Sequence, residues 1–286
     1  MLKNEIIKYL KDNKVGIITN SFNPDLLKMS KFFYNDIYTS LVVPGIVNGV
    51  GGPVRFYGFT CFNYILTEKW FTNQFDYIIY VDEDCFITNI ESMINILKEF
   101  IEGNYGFAGI PDGGLCCHRN HNPVSINTFF TIFNIKEIKK VYDPEKVLNT
   151  KFDDSLKVFK PDFLIYDKSD EYKKELENKI PYCKIVRDNP KDVCSRHQIP
   201  WNILWDDFEP YYKIFFFLLK NGLKPMYIYG QDSLIDDLGI TTELLYNNEP
   251  WAYHTWFARN FSNDPEQLQR ILKVYNRCVS LRHELE

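Results

Sequence analysis

Tyr77-Ile78-Ile79-Tyr80-Val81-Asp82-Glu83-Asp84-Cys85-Phe86-Ile87 is an apolar run interrupted by three acids. Its β-branched and aromatic residues predict a strand buried on both faces, with Val81 still part of it. Acids do not belong in such a core, so they mark where the strand emerges. Strand alternation places Asp82 and Asp84 on the same side, and two converging carboxylates suit a hard divalent cation. The competing reading is a polar strand end whose acids cap the next turn. The rest of the chain has to decide between them.

The chain has 286 residues, 45% hydrophobic and 16% aromatic, enough to bury a sizeable core. A formal net charge of -5 argues against nucleic acid as a partner, because phosphate binding needs a concentrated basic surface. The N-terminal residues read as an amphipathic surface helix without a signal-peptide apolar block. The longest strongly apolar block, Ile214 to Leu219, is too short for a transmembrane segment. The expectation is a cytoplasmic protein, with peripheral association to a membrane left open. Seven cysteines, an odd number, read as reduced thiols. Cys116-Cys117-His118 with His121 lacks the usual spacer between cysteines and no second Cys pair follows, so a structural zinc is not expected there.

Outward from the central run, strands and helices alternate. Val15 to Asn20 is a strand, and Asn23 with Pro24 opens a helix. Leu41 to Val43 is a second strand, and Pro44 to Pro53, with four glycines, is a loop. Arg55 to Phe71 is patterned as a helix. Thr88 and Glu91 form a capping box before a helix that stops at Gly103. Tyr105 to Ile110 and Ile126 to Phe133 are strands flanking a loop at Pro111 to Pro123. Further on come a solvated helix at Ser169 to Lys179, a buried one at Phe208 to Lys220, a strand ending at Gly230-Gln231-Asp232, and a terminal helix opened by Asp264. The expectation is an α/β fold with a mixed, mostly parallel sheet covered by helices on both faces. Ligands in such sheets sit at the carboxyl ends of strands, where Asp82 and Asp84 fall.

An apolar strand closing in Asp-x-Asp after an Arg- and aromatic-rich helix resembles the metal site of nucleotide-sugar-dependent glycosyltransferases with the GT-A fold. Ala108 to Asp112 and Ile126 to Ile135 are similar to segments of glycogenin and the bacterial lipopolysaccharide galactosyltransferases. Gln231-Asp232-Ser233-Leu234 is similar to that family's Asp-Gln-Asp-x-Leu motif, with Gly230 standing where the first acid would be. The resemblance implies a single GT-A-like (Rossmann-like) domain over 1–286, with a nucleotide-binding half (1–142) and an acceptor-binding half (143–286). It implies transfer of a hexose from a nucleotide diphosphate sugar, with uridine as the nucleotide, to a hydroxyl of a glycan or glycoconjugate.

The same resemblance implies roles for residues. Asp82, Asp84 and His254 would hold Mn2+ or Mg2+. Thr19, Asn20, Arg55, Asp82, Asp112, Asn127, Thr128 and Arg259 would contact the donor, and Asp232 and Gln231 would act at the reacting centre, with retention of configuration favoured by Gln231. The residues alone leave Asp232 either a general base or a helix N-cap, and His254 either a ligand or a core histidine. Trp251 to Arg259, bracketed by loop-like residues, is expected to be a lid over the diphosphate. The rival functions are a sugar nucleotidyltransferase, which would need a Gly- and Lys-rich phosphate loop that Asn20 to Pro24 does not supply, and a non-catalytic sugar-binding protein.

Overall fold

The structure, a computed structural model, describes residues 2–49, 52–188 and 200–284. The chain enters through α1 (Lys3–Asp12), β1 (Val15–Ser21), α2 (Pro24–Phe32) and β2 (Leu41–Pro44). The glycine-rich segment read as a loop contains a hairpin, β3 (Ile46–Gly49) paired with β4 (Gly52–Arg55). Arg55 therefore ends a strand, and helix begins only at α3 (Phe59–Thr67), followed by α4 (Lys69–Gln74). Next come β5 (Tyr77–Val81), β6 (Cys85–Ile87), α5 (Ile90–Glu102) and β7 (Phe107–Pro111). The second expected loop also holds a hairpin, β8 (Gly113–Cys116) with β9 (Arg119–Asn120). β10 (Ile126–Asn134), α6 (Ile135–Ile138), α7 (Pro144–Asn149), α8 (Asp170–Lys179) and α9 (Pro181–Asp188) follow. The chain closes with α10 (Tyr212–Lys220), β11 (Pro225–Tyr227), β12 (Gly230–Asp232), β13 (Thr242–Tyr246), β14 (Glu249–His254) and α11 (Pro265–Leu281).

These elements make an α/β architecture of mixed sheets covered by helices. The central sheet has the order β11-β7-β10-β5-β1-β2. β10 is antiparallel to both its neighbours, and the other pairs are parallel. The continuous apolarity of β5 has a direct cause: Ile79 and Val81 pack into one hydrophobic cluster and Ile78 and Tyr80 into another. From β1 the chain passes to β2 on one side and then to β5 on the other. The carboxyl ends of β1 and β5 thus flank a topological switch point, where open α/β sheets leave a crevice.

A second sheet, β12-β13-β14-β6, is antiparallel throughout and was not foreseen. It takes the second half of the opening run: past the acids, Cys85 to Ile87 pairs with Ala252 to His254 instead of with the central sheet. Apolar composition cannot reveal such a switch, because both halves are equally hydrophobic. The expected lid fails for the same reason. Trp251 to His254 lies within β14, hydrogen-bonded to β13 on one edge and β6 on the other, and Trp251 is fully buried.

The α5 face is as its spacing predicts, with Ile90, Met93, Ile94, Ile96, Leu97 and Phe100 buried. Its cap is Asn89, whose side chain accepts from the Ser92 N–H at 3.1 Å. Thr88 is drawn away because its hydroxyl donates to the Trp251 carbonyl at 3.1 Å. Among the described residues no helix is long and apolar enough to cross a membrane.

Candidate metal centre

Asp82, Asp84 and His254 meet where β5 leaves the central sheet, each offering a ligand atom within 4.8 Å of the others. The two acids converge through a turn and not through strand pleating: the Cys85 N–H donates to the Asp82 carbonyl at 3.1 Å, folding residues 82–84 out of the strand. β14 supplies His254 by pairing it with Cys85, which sets its Nε2 3.3 Å from Asp84 Oδ1. The Tyr80 hydroxyl donates to Asp82 Oδ1 at 2.6 Å. Burial, followed by the Asp84 charge, holds the Asp82 carboxyl well above the usual carboxylate range, against the Tyr80 hydrogen bond. A bound cation would reverse that balance by pairing with both carboxylates. The cluster could hold a metal ion.

Glu83, the middle acid, turns the other way. Its carboxylate accepts from the Ser21 hydroxyl at 2.8 Å and from the Phe22 and Asn23 N–H groups at 3.0 and 2.9 Å, tying the β5 turn to the end of β1. The His254 ring is held by a parallel stack on Phe129, 4.0 Å between centroids and 8° between planes. Trp256 meets it edge-on at 4.4 Å. Arg270 of α11 donates to the Thr255 and Trp256 carbonyls at 2.6 and 2.9 Å, fixing the backbone where Trp256 and Phe257 take positive φ angles of 54° and 57°. Phe129, Tyr80 and Arg270 were not singled out as site residues from the sequence, whereas Trp256 belongs to the stretch expected to close over the site and exclude water. Phe129 meets a partner far away in the chain, whereas Tyr80 and Trp256 meet Asp82 and His254 two residues away.

The remaining expected residues are distributed differently. Thr19 and Asn20 end β1 at the switch point but are buried; Thr19 Oγ1 lies 2.9 Å from the Tyr34 hydroxyl, and Asn20 Nδ2 donates to the Val43 and Phe56 carbonyls, each at 3.0 Å. Arg55 is exposed on β4 and Thr128 is half-buried on β10. Asp112 is fully buried, accepting from Arg119 Nε at 2.6 Å and Nη2 at 2.8 Å, from the Tyr211 hydroxyl at 3.0 Å, and from Asn127 and Tyr212. Burial alone would raise its pKa, but the Arg119 guanidinium outweighs burial and holds the carboxyl below its ordinary range. Arg119 in turn lies over the Trp256 ring, 5.6 Å from its centroid. The Arg259 side chain lies outside the described residues.

Gln231 donates to Glu243 at 2.8 Å on the second sheet. Asp232 is not the cap of the short 3-10 helix Leu234–Asp236, since Ser233 takes that role. It lies in β12, beside a second group of side chains that could hold a metal ion: Cys117, Cys183 and Asp232, all buried, again within 4.8 Å of one another. Burial pushes the Asp232 carboxyl up to about 7, against the hydrogen bond from the Cys117 N–H. Local spacing around Cys116-Cys117-His118 gave no reason to expect this group, because its second thiol comes from α9, far along the chain. All six described cysteines are free thiols, and Cys194 lies outside the described residues.

No protein-family model matches this chain, and no curated protein matches it. Among solved structures, the crystal structure of A197 from STIV is similar at 13% identity, covering 46% of this chain and 69% of that one, with a TM-score of 0.34. A likeness of that size carries no argument about what this chain does.

Proposed function

We propose that this chain is a metal-dependent glycosyltransferase of the GT-A type, moving a hexose from a uridine diphosphate sugar to a hydroxyl of a glycan or glycoconjugate. The observation that supports this reading is the convergence of Asp82, Asp84 and His254 beside the β1/β5 switch point. Two carboxylates and an imidazole favour Mn2+ or Mg2+ over a softer ion. Such an ion, when bound, supplies Lewis-acid neutralisation of the charge that develops on a departing diphosphate.

The chain's own residues prepare that step. Tyr80 fixes the orientation of Asp82, and the Phe129 stack fixes the plane of His254, so both ligands are set before anything binds. Trp256 walls the cluster on the His254 side, which lowers the local dielectric and strengthens charge interactions there. The donor nucleotide would lie across the crevice at the ends of β1 and β5. Arg259, as a partner of the diphosphate, and retention at the anomeric carbon stay part of the proposal on the family resemblance. The metal-dependent part of the reading does not depend on Gln231 or Asp232, which make other contacts, whereas retention rests on Gln231 through the family resemblance.

The test is incubation with a panel of nucleotide sugars and manganese, following nucleotide release with and without chelator. Manganese-dependent release of UDP from one donor is the expected result. Release of pyrophosphate from a nucleoside triphosphate and a sugar phosphate would identify a nucleotidyltransferase. Binding of a sugar with no turnover of any donor would make the chain a binding protein and overturn the proposal.

A further inference from the structure

The second cluster has a different chemistry from the first and stands independently of the glycosyl-transfer reading. Its members come from three elements: Cys117 from the β8–β9 turn, Cys183 from α9 and Asp232 from the end of β12. The turn is packed tightly from below. A Cβ added at Gly113 would lie 1.8 Å from the His121 carbonyl oxygen, and Gly114 takes a φ of +83°, so this hairpin tolerates only glycine at both positions. α9 is docked by the Tyr182 N–H, which donates to the Leu238 carbonyl at 2.8 Å.

The carboxylate at the centre is only half satisfied. Asp232 is 8% exposed. Its Oδ2 accepts from the Cys117 N–H at 2.7 Å, whereas Oδ1 is buried without a hydrogen-bond partner, with His118 Nδ1 3.6 Å away. A buried carboxylate oxygen left this way is costly unless something cationic meets it. Two thiols beside it narrow what that cation is, because thiolate ligands select zinc over manganese or magnesium.

We propose that Cys117, Cys183 and Asp232 hold a structural zinc ion, with His118 as the fourth ligand. Zinc–sulfur bonds of about 2.3 Å and zinc–oxygen or zinc–nitrogen bonds of about 2.0–2.2 Å put neighbouring tetrahedral ligand atoms roughly 3.3–3.8 Å apart. Cys117, Cys183 and Asp232 are already gathered within 4.8 Å and need to close by about an ångström to reach that spacing, while His118 Nδ1 comes in from the Asp232 side, 3.6 Å from Oδ1. On binding, the two thiols lose their protons to solvent, and the ion meets the bare Oδ1. Four protein ligands in a buried setting leave no open position, which makes the site structural and not catalytic. Its effect is to clamp α9 and the β8–β9 turn onto the second sheet. It also fixes His118, whose ring packs 5.1 Å from Trp256, the indole that walls the first cluster.

The test begins with elemental analysis of protein purified without added metal. About one zinc per chain is expected in the wild type and in Asp84→Ala, falling below about a tenth in Cys117→Ser and Cys183→Ser. Because either serine variant can fail to fold, the wild-type protein is also stripped and titrated with cobalt alone. A sulfur-to-cobalt charge-transfer absorption that saturates at about one equivalent supports the site. Three results overturn it: a wild-type protein that takes up neither zinc nor cobalt with thiolate ligation, zinc content unchanged in the Cys117→Ser/Cys183→Ser double variant, or a Cys117–Cys183 disulfide in freshly purified chain.

Discussion

Asp82, Asp84 and His254 stand where a strand leaves the central sheet, with Asp82 partly open to solvent; Cys117, Cys183 and Asp232 are closed inside the molecule. Both groups sit beside the same indole, the first through His254 at 4.4 Å and the second through His118 at 5.1 Å from Trp256. With metals bound, the difference would separate two uses of converging ligands. Oxygen and nitrogen donors with one side open leave room for a substrate's own oxygens, the condition for a metal that takes part in a reaction. Sulfur donors in a closed pocket have no such room and can only hold structure together.

The sharpest way to break this contrast is Asp84→Ala. We expect metal-dependent nucleotide release to fall on the order of 10³-fold, about 4 kcal/mol of transition-state stabilisation, while zinc content and thermal midpoint stay at wild-type values. Steady-state kinetics beside elemental analysis would show it. An equal loss of zinc would mean that the two clusters are one functional unit.

Asp112→Ala strikes the frame behind both. It removes the bidentate partner of the mostly buried Arg119 guanidinium, leaving it Glu209 at 3.2 Å and the Tyr211 hydroxyl at 3.0 Å, and removal of one partner of a buried ion pair costs about 3 kcal/mol or more. Urea denaturation should show this as a lower midpoint with unchanged slope. A change under about 1 kcal/mol would show that Arg119 is solvated after all.

Ligand effects come next in size. Manganese with UDP at about 100 times the dissociation constant should stabilise the wild type by about 2.7 kcal/mol, read as a raised unfolding temperature, and should do nothing for Asp84→Ala. The smallest expected effect is that of Phe129→Leu. Losing the stack on His254 removes about 1 kcal/mol, and manganese affinity measured by electron paramagnetic resonance should weaken a few-fold with zinc content intact.

Much of the architecture could be read locally. The period of α5, the Asn23 and Asp264 caps and the apolar strand before the acids are set by neighbours within a few residues, so pattern and propensity reach them. The pairing of Asp82 with Asp84 was also legible, although the cause is a turn and not the pleat. The lid over residues 251–259 was misread because a run of aromatics flanked by breakers fits both a mobile flap and a strand in a small antiparallel sheet. Only the partners of β14, which are β13 and a β6 left over from the opening run, distinguish the two.

The sequence by itself determined that this chain has an α/β plan and that two carboxylates stand at the end of a buried strand, because those features depend on residue type and short-range spacing. The tertiary structure alone decided which distant side chains complete each cluster. His254 reaches Asp84 through a strand pairing between β14 and β6, and Cys183 reaches Cys117 and Asp232 through the docking of α9. The physical reason is that ligation needs atoms brought within a few ångströms, and across long loops that proximity is set by the packing of whole elements, which no local pattern encodes.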